Sequence, residues 1–230
     1  MPDVADIPSD PIAWRPQYPR PSWRARPIAD PLIEPLWRGT RVLVHLDQSR
    51  RAPDGGTWCA ILDDEGEDAT DLEPAVTAAL RDAVSATDAV IDGYLTDQAT
   101  RPGENVALVS IGRRSGNIVM GHRVDPDVAQ PIDDGEPRPV AFVAVDLLRV
   151  DGQNLFDIPL LERKRLLDSM VEVGDLVRLS PYTRPPVDGW MRSWRAAGFA
   201  GVTLKAANSR YRPGTETDQW TVALANRQRR

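Results

Sequence analysis

Short apolar runs, separated by turn residues, recur along the chain from residue 40 onward. Residues 41–46 and 57–62 are two such runs, and Pro53-Asp54-Gly55-Gly56 lies between them. Runs of this length that are rich in β-branched and aromatic residues and bounded by Gly, Pro and Asp favour strands joined in hairpins. The Asp151-Gly152 pair predicts another hairpin turn. The remaining predicted strands are residues 89–95, 106–111, 140–150, 201–205 and 220–224.

Three segments have helical character. Residues 71–84 predict a helix because Val76, Leu80 and Val84 recur every four residues on one face. Asp71 is a plausible N-cap for this helix. Its first turn contains a proline, whose missing N–H is harmless there. The other predicted helices are residues 160–172 and, capped by Asp188 and ended by Gly198, residues 189–197.

Residues 1–30 are rich in proline, which fixes φ and removes a backbone donor. They therefore predict an extended arm through which neither a helix nor a central strand can run. Aromatic residues and arginines interleave in it, notably at Trp14-Arg15 and Trp23-Arg24. This pattern can stack bases and pair phosphates, or it can pack the tryptophans onto the arm's own domain. One domain is expected over residues 31–225, followed by a basic tail over residues 226–230.

Composition narrows the classes of function. The 230 residues carry a formal net charge of −6, with a pI near 5.0, so any contact with DNA must be local. No apolar run is long enough to span a bilayer and no signal peptide is recognisable, which predicts a cytoplasmic protein without membrane contact. His45, His122 and Cys59 make no zinc spacing, so no metal site is predicted and the cysteine is interpreted as a core thiol.

One short stretch carries recognisable chemistry. Residues 33–41 resemble the first motif of ATP-dependent DNA ligases, Glu-x-Lys-x-Asp-Gly-x-Arg, in which the lysine amine attacks the α-phosphate of ATP and carries AMP. Leu36 stands at the lysine position and Arg38 at the aspartate position. A leucine side chain has no lone pair with which to attack phosphorus. The residues that match the motif are Glu34, Gly39 and Arg41.

The resemblance extends over roughly Ile28 to Leu224. Its other motifs are similar to residues 90–94, 142–148, 198–205, 211–214 and 218–220. Several positions depart from the family pattern in ways that remove carboxylates, lysines and an aromatic ring. These are Tyr94 and Ala200 in place of glutamates, Val222 and Leu224 in place of lysines, and Val145 in place of the aromatic that packs on adenine.

The resemblance implies an α+β, ATP-grasp-like nucleotidyltransferase fold, with antiparallel β-sheets flanked by helices and a cleft between them. It also implies nucleotide contacts by Glu34, Arg41 and Lys205. Alternatively, Arg41 and Lys205 are inherited polar groups now paired with acids. Asp92 and Asp146 are most simply turn and framework residues. No catalytic residue, metal ligand or cofactor is predicted, with ATP as the alternative that the matching residues leave open.

Three functional hypotheses follow. The favoured one is a catalytically degenerate ligase homologue that binds DNA, a nucleotide or a protein partner in DNA repair or a related process. The second is an active nucleotidyltransferase in which Lys205 or another group replaces the missing amine; the chain has only one other lysine, Lys164. The third is a structural subunit that uses the old cleft to bind protein. The oligonucleotide-binding barrel of the family is expected to be absent, which predicts poor closure on either substrate.

Overall fold

The computed structural model describes residues 7–22, 25–98 and 139–224. The predicted strand at 106–111 and the Trp23-Arg24 pair lie outside these ranges. A short 3-10 helix covers Pro11–Ala13. The helices are α1 (Pro74–Ala83), α2 (Leu160–Met170) and α3 (Val187–Ala196). The strands are β1 (Tyr18–Pro19), β2 (Pro31–Pro35), β3 (Thr40–Arg51), β4 (Thr57–Asp63), β5 (Asp88–Thr96), β6 (Ala141–Val150), β7 (Gln153–Asn154), β8 (Val177–Leu179), β9 (Gly201–Ala206), β10 (Glu216–Thr217) and β11 (Trp220–Leu224).

The larger sheet has six strands. β4, β3, β5, β6 and β7 lie in that order with antiparallel neighbours, and β8 pairs in parallel with β6. Successive side chains of β6 point to opposite faces, so Phe142 and Ala144 pack in one core and Val143 and Val145 in another. Helices α1 and α2 cover the first of these faces and close the main core with buried residues such as Leu80.

The smaller sheet has three antiparallel strands in the order β11, β9, β2. It packs with α3 against the second face of β6, where Ile33, Trp194 and Val202 are buried together. Two sheets therefore face each other across an apolar layer, with helices on the outside. This arrangement is the α+β architecture of antiparallel sheets and flanking helices that the sequence predicts.

The predicted strands that fall in the described ranges are present, and the Asp151-Gly152 turn connects β6 to β7. β2 was not predicted, because prolines at both of its ends are unfavourable in a strand. Both prolines are tolerated because they are terminal residues of a strand that pairs with β9 on one side. The sequence alone contains no signal for this pairing with a segment about 170 residues away.

Both predicted helix caps are wrong. Helix α1 begins at Pro74, with Glu73 at the N-cap and no side-chain capping bond. A proline forces the residue before it out of helical geometry, so Asp71 lies too far upstream to cap. Helix α3 begins at Val187 with Pro186 at its N-cap, which places Asp188 inside the first turn. There its charge complements the helix dipole instead of accepting a capping bond. Gly198, at φ +86°, ends α3 as predicted.

The arm is packed onto the body of the protein. The side chain of Trp14 is only 1% exposed and meets Phe156 edge to face at 4.7 Å. β1 pairs in parallel with β10, which aligns Tyr18 with Glu216. Of the two interpretations of the interleaved aromatics, packing on the protein's own domain is the one that applies to Trp14. No helix among the described residues is long and apolar enough to cross a membrane.

Candidate functional site

A cavity of about 190 Å³ lies between the two sheets, at the end covered by the arm. It is smaller than the roughly 300–1,000 Å³ usual for small-molecule sites. Both sheets and the segment between β2 and β3 contribute side chains to it. The residues that line it are Tyr18, Pro19, Glu34, Pro35, Leu36, Trp37, Arg41, Tyr94, Val145, Thr203, Lys205, Trp220 and Val222.

Glu34 binds both lysines of the chain. Its Oε1 lies 3.0 Å from Nζ of Lys164 and its Oε2 lies 3.3 Å from Nζ of Lys205. The Lys164 ammonium also donates to the carbonyl of Val145 at 2.8 Å, and the Lys205 ammonium lies 4.7 Å from the ring centre of Trp220. All three ionic side chains are at most 5% exposed. The β2–β9 pairing creates this cluster, since it places Glu34 beside the strand that carries Lys205.

The cluster changes the pKa values of Glu34 and Lys164. Burial alone would raise the pKa of Glu34, but the two ammonium groups outweigh it and hold this pKa below its ordinary value. Burial lowers the pKa of Lys164, and the Glu34 carboxylate offsets part of that effect. One carboxylate thus balances two amines, which leaves the buried cluster with an excess of positive charge when both amines are protonated.

Arg41 is fixed by a second buried ion pair. Its Nε donates to Asp92 Oδ1 at 2.5 Å, its Nη2 to Asp92 Oδ2 at 2.7 Å, and its Nη1 to the hydroxyl of Tyr94 at 2.8 Å. The Tyr211 hydroxyl donates to the same Asp92 carboxylate at 2.7 Å. Burial would lower the pKa of Arg41, but the Asp92 charge raises it well above its usual value. The guanidinium therefore uses much of its donor capacity inside the protein.

The arm reaches this network directly. The backbone N–H of Gln17 donates to the Tyr211 hydroxyl at 2.9 Å, and the next residue, Tyr18, lines the cavity. The Tyr18 hydroxyl donates to Asp64 at 2.9 Å, and its ring lies 5.7 Å from the Arg41 guanidinium. Burial, followed by the hydrogen bond to Asp64, raises the pKa of Tyr18. The arm consequently forms one wall of the cavity.

Leu36 lies in the cavity wall, and its backbone N–H donates to the carbonyl of Gly201 at 3.0 Å. Arg38 does not line the cavity: its guanidinium lies 3.5 Å from Asp97 and is half exposed. Gly39 has a φ of +116°, and a Cβ there would lie 2.2 Å from the backbone oxygen of Leu95. The glycine of the first motif is therefore required by the backbone even where the lysine position is changed.

Asp92 and Asp146 each bind a buried arginine, which the sequence did not predict. Asp92 and Asp146 were interpreted as turn and framework residues, but both lie within strands and are fully buried. Asp146 binds the guanidinium of Arg163 through two hydrogen bonds of 2.8 Å, as Asp92 binds Arg41. A fully buried carboxylate needs such a partner. Aspartates inside apolar strand runs were the available signal that an arginine must lie opposite.

The three predicted nucleotide contacts, Glu34, Arg41 and Lys205, do lie together in the cavity wall. Their charged groups are directed to one another or to Asp92. No group of three or more acidic, histidine or cysteine side chains that could hold a metal ion occurs in the described part of the chain. The cavity volume and the engaged cations do not fit a bound nucleoside triphosphate with its metal.

Comparison with known proteins identifies one family. The ATP dependent DNA ligase domain matches residues 28–221. A "Probable DNA ligase" from Mycobacterium sp. (strain KMS) is 29% identical over 215 residues, covering 90% of this chain and 37% of the relative. "DNA ligase 2" from Methanosarcina mazei is 28% identical over 203 residues, covering 85% of this chain and 32% of the relative. The chain thus spans about a third of the length of these relatives.

Two solved structures have a similar fold. The ligase domain of LigD from M. tuberculosis superimposes with a TM-score of 0.61 at 20% identity, covering 94% of this chain and 60% of that one. A mycobacterial DNA ligase D complexed with ATP and MES gives 0.61 at 21% identity, covering 94% and 61%. These similarities show a ligase-type nucleotidyltransferase fold. Together with the match over residues 28–221, they establish that the chain belongs to the ATP-dependent DNA ligase domain family.

Proposed function

We propose that this chain is a catalytically degenerate ligase-like domain that acts by binding, with DNA as the favoured ligand. The proposal rests on the absence of an available lysine amine in the cavity. Leu36 occupies the cavity wall at the position of the lysine in the first motif, and the only lysines of the chain, Lys164 and Lys205, are buried against Glu34. A nucleophilic amine must be neutral and free to approach phosphorus.

Other side chains are poor substitutes for the absent amine. Burial raises the pKa of the Cys59 thiol to about 12, and this thiol does not line the cavity. Arginines stay protonated and cannot attack. Lys205 does line the cavity, but its ammonium is held by Glu34 and by the face of Trp220. Adenylation through it would require breaking a buried ion pair before any chemistry.

A domain that has lost catalysis can still bind DNA. The relatives are named DNA ligases, and one similar structure is a DNA ligase D with bound ATP. Because the net charge is −6, contact with a polyanion would be local, and its dependence on salt would grow with the number of phosphates contacted. A role in DNA repair, with DNA bound and not sealed, is therefore the most specific form of the proposal.

Covalent AMP is the decisive observation. The protein is incubated with ATP and Mg²⁺ or Mn²⁺, and its intact mass is measured beside an active ATP-dependent DNA ligase treated identically. The expected result is an adenylate on the active ligase and none on this protein. An adenylate on this protein would refute degeneracy. The modified residue, mapped by peptide mass spectrometry, would then name the alternative nucleophile, with Lys205 the first to be examined.

Binding is tested separately. Fluorescence anisotropy with a nicked, 5′-phosphorylated duplex is compared with an intact duplex at two salt concentrations, and calorimetry is performed with ATP. We expect saturable binding of nicked DNA that weakens with salt, and no heat of binding with ATP. The absence of binding to both ligands would contradict the DNA-binding proposal and would favour the structural alternative, in which the ligand is a protein.

A further inference from the structure

A second and larger cavity, of about 370 Å³, lies at the other end of β3 from the first. Arg41 and Asp47, which mark the two cavities, are separated by about 20 Å along this strand. Between them Leu43 packs against Trp14 in an apolar cluster. The second cavity is lined by Asp10, Pro11, Ile12, His45, Leu46, Asp47, Ser49, Arg50, Trp58, Thr87, Asp88, Ala89, Val90 and Arg149.

His45 is the buried polar group of this cavity. It is 3% exposed, and its Nε2 has no hydrogen-bond partner among the described residues. The strand register explains this isolation, because the residues opposite are Ala60 on β4 and Val90 on β5. Burial lowers the pKa of His45 to about 4, with smaller opposed contributions from Asp10 and Arg15, so the ring is neutral at pH 7. A buried, unpaired imidazole nitrogen is costly unless a ligand or water completes it.

The carboxylates around His45 are unevenly neutralised. Asp47 lies directly opposite Asp88, and like charges so placed repel. Asp88 is bound by Arg149, whose Nε lies 2.7 Å from its Oδ1. Asp47 accepts hydrogen bonds from Ser49, which hold its pKa below the usual value, with a smaller contribution from Arg50. No cationic side chain of the described chain lies within ion-pair distance of Asp47.

The remaining lining adds one more acid and a planar apolar surface. Asp10 accepts a hydrogen bond from the backbone N–H of Ile12 through Oδ1 and has no ion pair among the described residues. Trp58 lies opposite Asp47, and its ring is covered on one side by the Arg50 guanidinium at 3.9 Å. The cavity therefore has one more carboxylate than guanidinium among its lining residues, which also include the neutral imidazole of His45.

We propose that this cavity is a binding site for a small planar organic cation of the amidinium or guanidinium class. Its N–H groups would donate to Asp47 and Asp10, its planar body would lie near Trp58, and the His45 ring would form part of the wall beside it. Two acceptor carboxylates and an uncharged ring favour a cation, whereas an anion would face net repulsion. The site is separate from the family's nucleotide cavity and does not depend on the proposed DNA binding.

Benzamidine is the probe, and proton NMR of the histidine rings is the readout. The spectrum is simple because the chain has only two histidines. The imidazole Cε1–H signal of His45 is assigned by its persistence in the His122→Gln variant. Benzamidine is then titrated into the full chain, with neutral benzamide and anionic benzoate as controls of similar shape. We expect a saturable shift of the His45 signal with benzamidine. The apparent affinity of benzamide should be at least fivefold lower, and benzoate should give no saturable shift.

Two variants separate the site from general charge effects. Asp47→Asn should weaken benzamidine binding at least fivefold, whereas Asp71→Asn, at an exposed position outside the cavity, should leave it unchanged. Circular dichroism establishes that both variants are folded. Equal affinity for benzoate, no saturable shift up to the solubility limit of benzamidine, or undiminished affinity in folded Asp47→Asn would each overturn the proposal.

Discussion

Each carboxylate oxygen of Glu34 lies within ion-pair distance of an ammonium group, 3.0 Å from Lys164 and 3.3 Å from Lys205. Its position is the glutamate of the family's first motif, so an inherited residue now balances two buried cations. A buried charge with a partner is tolerated, while one without a partner is strongly destabilising. The fold therefore depends on this carboxylate more than on either lysine alone.

Replacing Glu34 with Gln tests that dependence. We expect a loss of about 3–5 kcal/mol in the free energy of unfolding, because both ammonium groups would stay buried without a counter-charge. Urea titration followed by circular dichroism measures it. The matched control is Glu162→Gln, which removes an exposed pair with Arg165 and should cost within about 0.5 kcal/mol. A similar, small loss in both variants would contradict the central role of Glu34.

His45 should make stability depend on pH. Its pKa is 6.5 in the unfolded chain and about 4 in the folded protein, chiefly because burial disfavours the charged ring. As pH falls, His45 therefore binds a proton in the unfolded state before it does so in the folded state. The stability that depends on a neutral His45 is fully present above pH 6.5 and declines toward pH 4. The loss at pH 4 is on the order of 3 kcal/mol.

The measurement is urea unfolding between pH 7.5 and 4 in three proteins. The parent chain and His122→Gln should share the decline, whereas His45→Gln should show a flatter profile whatever its stability at pH 7.5. Carboxylates also titrate in acid, but they do so in all three proteins and cancel in the comparison. Parallel profiles in the parent chain and His45→Gln would show that the buried ring does not control this dependence.

The β2–β3 connection imposes a backbone requirement at Gly39. Its φ of +116° is rarely adopted by residues other than glycine, and an added Cβ would lie 2.2 Å from the Leu95 backbone oxygen. We expect Gly39→Ala to lower the free energy of unfolding by roughly 2–3 kcal/mol, because β5 must move to make room. Gly55→Ala is the control, since Gly55 has a φ of +82° but nothing within 4 Å of the added Cβ.

Thermal or urea unfolding of the two glycine variants separates conformational strain from crowding. Gly55→Ala should cost about 1 kcal/mol from its left-handed backbone alone. If Gly39→Ala costs no more than Gly55→Ala, the close approach to Leu95 is not a constraint on the connection. A larger loss at Gly39 would explain why this position matches the ligase motif while Leu36 and Arg38 do not.

Local signals predicted most strands and all three helices, but not the contacts between distant segments. Apolar runs bounded by turn residues predicted β3, β4, β5 and β6, whereas β2 could be recognised only from its pairing with β9. The first motif pointed to Arg41, but the Asp92 that binds it was interpreted as a framework residue. Such pairs depend on strand register across the sheet, which single-sequence patterns specify only weakly. The part played by Tyr18 in the cavity wall was missed for the same reason.

The arm, the larger sheet and the cavity are joined by one chain of contacts. Gln17 donates to Tyr211, Tyr211 donates to Asp92, and Asp92 binds Arg41 in the cavity wall. Trp14 anchors the arm close by in the apolar cluster that also contains Tyr211. The arm is thus expected to share the cooperative unfolding of the protein instead of detaching first.

Trp14→Ala tests this coupling. Removal of a ring that is 1% exposed should cost about 3–5 kcal/mol in the free energy of unfolding. Tyr18→Phe, which removes only the hydroxyl bond to Asp64, should cost less than about 1 kcal/mol. Circular dichroism during urea unfolding measures both variants. A Trp14→Ala loss as small as that of Tyr18→Phe would show that the arm contributes little to global stability.

The paired burial of Lys164 and Lys205 has a consequence for chemical labelling. These are the only lysine ε-amines of the chain, and both are screened from solvent and lie in ion pairs with Glu34. Acylating reagents need an exposed, deprotonated amine, so lysine modification of the native protein should proceed only through opening of the fold. The rate of lysine modification, followed by peptide mass spectrometry, would therefore report how often the native protein opens transiently. No engineered probe is required.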